Sequence, residues 1–82
     1  MVLTDTEQRI LEILTHAGQI GVSTDDIHDA LYGDLPEHKQ PESRIIPVFI
    51  CNIRRKISVQ GMKIEPIRNF GYRLTETIHE VH

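Results

Sequence analysis

Ile46, Ile50, Ile53 and Ile57 recur at intervals of four, three and four residues. At about 100° per residue they fall within one narrow arc, as on a helix that buries a single stripe against a core. The spacing predicts a helix over Glu42–Val59. Pro47 lies inside that span. In a helix interior it would delete a backbone hydrogen bond and clash with the preceding turn, at a cost of about 3 kcal/mol. In the first turn the amides have no partner in any case. The regular helix is therefore expected to start close to Pro47 or to bend there, with Glu42–Ile46 as a looser lead-in turn.

The rest of the chain divides around that helix. Thr4-Asp5-Thr6-Glu7 has the form of a capping box, and Ile10, Leu11, Leu14 and Ala17 follow at helical spacing up to Gly18. Gln19–Val22 is short enough for an extended piece between two glycine-containing turns. Ser23-Thr24-Asp25-Asp26 opens a second helix, with acids in its positive first turn. Ile27, Ala30 and Leu31 are its expected buried stripe and Gly33 its end. Asp34–Pro41, polar and with two prolines, reads as a loop. Met62–Thr75 reads as a hairpin turning at Arg68-Asn69-Phe70-Gly71, where Asn and Gly tolerate positive φ.

At 82 residues the chain is expected to form one domain, 1–82, with 75–82 as a flexible tail. No apolar run approaches the roughly 18 residues of a membrane span. Cys51 is the sole cysteine, so one chain holds neither a disulfide nor a multi-cysteine zinc site, and a reducing cytoplasm fits. The formal net charge of -3 conceals segregation. Residues 1–38 hold one basic residue, Arg9, against eight acids, whereas 39–73 hold eight basic residues against Glu42 and Glu65. A basic block inside an acidic protein suggests one face built for a polyanion; the plain alternative is a solvated basic face. Three helices closed by a C-terminal β-hairpin, with the cations on the third helix and the hairpin, give an α+β winged helix-turn-helix.

On a helical wheel the face opposite the isoleucines carries Arg44, Val48, Cys51, Asn52 and Arg55, flanked by Arg54 and Lys56. Asn52 suits a bidentate pair to adenine, and Val48 suits a thymine methyl, which predicts a preference for A·T-containing duplex DNA. Arg44 and Arg55 suit phosphate or guanine, while Phe49 is assigned to packing. Arg68 lies at the hairpin tip beside Asn69, and Arg73 points away from the face that Tyr72 and Leu74 bury. A narrow basic tip suits a minor groove. His16, His28, His38, His79 and His82 show no metal-ligand spacing with a cysteine, Asp25, Asp26 and Asp29 read as helix-start charges, and no phosphate loop or nucleophile motif occurs. No enzyme, metal or cofactor is expected.

The blocks LTDTEQRILEIL, GVSTDDIHDALYGD, RIIPVFICNIRRKI and IEPIRNFGYRL, in that order, cover nearly the whole chain. Together they resemble the OmpR/PhoB-type winged-helix effector domain of bacterial response regulators, the last two blocks most specifically. The resemblance implies that the third helix enters the major groove and the wing the adjacent minor groove. It implies DNA contacts from Arg44, Val48, Asn52 and Arg54, with Arg68 as the wing arginine and Arg73 as the basic residue after the glycine-tyrosine pair. It also implies that Asp34–Pro41, with Asp34, Glu37, His38 and Lys39, is a loop that touches RNA polymerase. The chain departs from the family pattern at Pro47, where an acid is usual, at Cys51 and Asn52, where basic residues are common, and at Asn69, in place of a wing glycine. If Met1 is the native start, no receiver domain accompanies the module. The expected function is then sequence-specific transcriptional control at the nucleoid, with self-association on DNA. The alternative is a protein-interaction module that binds polymerase or another regulator, for example as an antagonist.

Overall fold

The structure, a computed structural model, describes residues 2–58 and, up to the backbone of Glu76, residues 61–76. Helix α1 spans Asp5–Ala17, α2 Thr24–Tyr32 and α3 Ile45–Ile57. Strands β1 (Val22–Ser23), β2 (Met62–Ile67) and β3 (Gly71–Glu76) form an antiparallel sheet in the order β1-β3-β2. This is the α+β arrangement expected, with one strand more than the hairpin alone. The end of the third helix at Val59, part of the 75–82 tail, and His79 and His82 lie outside the described residues.

Both N-terminal caps are as the residues dictate. The Thr4 hydroxyl accepts from the Glu7 amide at 3.2 Å, while the Thr4 amide donates to Glu7 Oε1 at 2.9 Å. Ser23 Oγ accepts from the Asp26 amide at 3.0 Å and starts α2. α1 ends at Gly18 with φ 64°, a left-handed conformation favoured by glycine.

The regular part of the third helix starts close to Pro47, as expected. It begins at Ile45, so Pro47 falls in the first turn, where its missing N–H leaves no intrahelical bond unmade. The amides of Ile45 and Ile46 donate to the carbonyls of Glu42 and Ser43, closing the tight lead-in turn. The chain between α1 and β1 differs from expectation. Gly18–Ile20 is a 3-10 turn, and pairing starts only at Val22, after Gly21 turns the backbone again at φ 83°. The 34–41 loop contains a further 3-10 turn, Glu37–Lys39.

Among the described residues, eight aliphatic side chains form the core: Ile10 and Leu14 from α1, Ile27 from α2, the four isoleucines of α3, and Ile64 from β2. Leu31, Phe49, Tyr72 and Leu74 pack around it, half-buried. Ala30, expected in the α2 stripe, is instead exposed; its carbonyl accepts from Arg9 Nη2 at 3.1 Å, which links α1 to α2.

In the sheet, Glu65 faces Arg73, Pro66 faces Tyr72 and Ile67 faces Gly71. Asn69 takes the positive φ of the turn, at 59°. Gly71 does something else: it is buried beside β1, where any Cβ would collide with the Val22 carbonyl and the Ser23 backbone. Its lack of a side chain is what lets β1 lie against β3. Pro66 stands in β2, one of the two outer strands, where a missing amide on the open side deprives no neighbour within the sheet.

Candidate nucleic-acid interface

The one-sided burial of α3 determines what its opposite face can do. With Ile46, Ile50, Ile53 and Ile57 inside, Arg44, Val48, Cys51 and Arg55 are exposed and Asn52 is half-exposed. Val48 is 54% exposed, an apolar side chain set among polar ones. Among the described residues, Arg55 has no side-chain hydrogen bond and no carboxylate partner.

The two flanks of the helix are used differently. On one, Arg54 Nε donates to the Ile64 carbonyl at 3.1 Å, fastening α3 to β2. That bond uses one of five guanidinium donors and leaves the fork able to bind an anion. On the other flank, Lys56, expected among the DNA contacts, turns inward. Its Nζ donates to Glu7 Oε1 at 2.6 Å, with the lysine side chain 21% and the glutamate 4% exposed. This is a correction to the sequence expectation: Lys56 joins α3 to α1 and is withdrawn from the outward face. The Lys56 ammonium, aided by the Thr4 amide and hydroxyl, holds the Glu7 carboxyl below its ordinary value; burial alone would raise it.

Arg44 is also paired, but in the open. Its Nε meets Glu42 Oε1 at 2.5 Å with both side chains largely exposed, a contact worth at most about 1 kcal/mol and easily exchanged. Arg73 sits on the outer face of the hairpin as expected, yet its Nε and Nη2 donate to Glu65 Oε1 at 3.0 and 2.9 Å. It is less available to a ligand than sequence suggests. Arg68 and Asn69 are exposed at the hairpin turn.

One cation was not singled out from the sequence. Lys63, exposed on β2, lines a groove with Arg54, Ser58, Met62, Ile64 and Pro66 where the end of α3 meets the hairpin. The signal for it was present: strand alternation puts Lys63 opposite the buried Ile64. Asp34, Glu37, His38 and Lys39 are all exposed on the loop between α2 and α3. That loop is anchored at its end, where His28 Nε2 donates to the Pro41 carbonyl at 2.5 Å and the imidazole packs edge-on against Tyr32.

The family described as "Transcriptional regulatory protein, C terminal" matches residues 1–74. This chain belongs to that family. It is a DNA-binding, transcription-regulating domain of OmpR/PhoB type, and the winged-helix arrangement above is consistent with it. The cell cycle response regulators CtrA of Brucella anthropi and Brucella ovis are each 36% identical to it over 77 residues. The alignment takes in 90% of this chain and 32% of each relative, so the chain spans about a third of the length of these curated proteins. No solved structure matches. Among the described residues, no helix is long and apolar enough to cross a membrane.

Proposed function

We propose that this domain binds double-stranded DNA with α3 in the major groove and the β2–β3 turn in the adjacent minor groove. The observation that carries this is the outward face of α3, where Val48 and Asn52 sit beside an Arg55 that no carboxylate of the described chain occupies. Asn52 reads adenine and Val48 a thymine methyl, while Arg44, Arg54 and Arg55 grip phosphate or guanine, Lys63 adding to the backbone contacts. Arg68 and Asn69 enter the minor groove. Arg73 contributes only if it leaves Glu65. The action is regulation of transcription in the bacterial cytoplasm, at the nucleoid, and the exposed loop bearing Asp34, Glu37, His38 and Lys39 is the surface offered to RNA polymerase. One such module makes a small interface, so two copies on adjacent half-sites supply useful specificity.

Salt-titrated binding to a duplex selected from random sequence tests the docking mode. Asn52→Ala should relax base preference at one position and cost about 1–3 kcal/mol. Arg68→Ala should weaken binding evenly across sequences and reduce the salt slope. If both variants bind with unchanged affinity and preference, the docking mode is wrong. No binding at low salt would favour a protein-interaction role for the fold.

A further inference from the structure

A shallow concavity lies at the N-terminal end of α3, walled by Pro41, Ile45 and Val48 and rimmed by Glu42 and Arg44. Its lining is almost entirely carbon. The walls are held from behind. Ile45 packs against the core, and Pro41 is fixed through its carbonyl by His28 of α2. Pro47 in the first turn lets the helix begin here without a wasted amide, so Val48 stands one turn beyond the lead-in and 54% exposed. The concavity is therefore continuous with the outward face of α3 that also carries Asn52 and Arg55.

The major groove is lined mostly by hydrogen-bonding base edges. The apolar group that projects there is the C5 methyl of thymine. A 5-methylcytosine carries the same methyl at the same ring position. We propose that the concavity seats the C5 methyl of a pyrimidine, which makes binding by this domain depend on whether the duplex carries that methyl. The proposal rests on the docking of α3 in the major groove. It goes further than a contact from Val48 alone, because Pro41 and Ile45 supply two of the three walls and come from the lead-in to the helix. Among the described residues Arg44 at the rim is held only by the exposed pair with Glu42, so it can turn to the base or phosphate beside the methyl.

The test uses the full chain and its preferred duplex, with each thymine replaced in turn by deoxyuridine and binding followed by fluorescence anisotropy. One position is expected to lose about fourfold in affinity, the worth of one buried carbon group. Replacing that base pair's thymine by cytosine should weaken binding, and 5-methylcytosine should recover part of the loss relative to cytosine; these two arms separate thymine from methylated cytosine as the source of the methyl. In Val48→Ala the penalty for deoxyuridine should shrink towards none. Intact binding with no deoxyuridine effect at any position, or an undiminished effect in Val48→Ala and Ile45→Ala alike, would overturn the occupant while leaving the docking mode standing. Failure to bind any duplex at low salt would remove both, and an apolar protein segment would then become the occupant to pursue.

Discussion

Two ion pairs in this domain have the same chemistry and opposite consequences. Lys56 and Glu7 are 49 residues apart in sequence, nearly shut off from water, and the same carboxylate oxygen also accepts from the Thr4 amide. Arg44 and Glu42 are two residues apart and stand in solvent. The first pair is part of the scaffold: it joins the start of α1 to the far end of α3. The second constrains almost nothing and can be given up to a ligand. A cation in the basic half of the chain is thus not automatically a DNA contact; the depth of its partner decides.

The largest effect should come from the inner pair. Glu7→Ala removes the capping-box acceptor and leaves Lys56 without its carboxylate, so it should lower unfolding free energy in urea by about 2 kcal/mol. Acid is a subtler way to reach the same bond. Because the folded-state value of Glu7 is depressed, its contribution is fully present above its ordinary value near 4.5 and is lost as pH falls through the lower folded value. Stability measured by urea titration should therefore decline below about pH 4.5, and in Glu7→Gln that part of the decline should vanish. Arg55→Ala should leave stability within about 0.5 kcal/mol of the parent. If Arg55 meets one phosphate, the same change should reduce the slope of log affinity against log salt by about 0.9. The smallest effect belongs to Glu42→Gln, which should change unfolding free energy by only a few tenths of a kcal/mol, about 0.3. If Glu42→Gln were as damaging as Glu7→Ala, the contrast between scaffold and surface pair would be broken.

The features that sequence made legible are those with a local cause. The isoleucine spacing found the buried stripe of α3 because helical periodicity needs no knowledge of the rest of the fold. Pro47 placed the start of α3 for the same reason, and Thr4 with Glu7 announced their own reciprocal cap. What escaped depended on partners distant in the chain. Lys56 looked like a flank cation because nothing local pointed to Glu7. Gly71 looked like a turn residue, whereas the close passage of β1, some 50 residues earlier, is what excludes a side chain there. Arg73 was placed on the correct strand face, but its pairing with Glu65 follows from hairpin register, which the turn residues Arg68–Phe70 fix. Ala30 shows the converse error: a small apolar residue at a core-like spacing, left outside because Ile27 and Leu31 already cover that side.

Pro66 in the outer strand β2 carries one more implication. A chain trying to extend the sheet from that side would meet a rung with no proton to donate, so strand-by-strand growth is blocked there. Two copies brought together on that side would accordingly meet through side chains and not through a shared sheet.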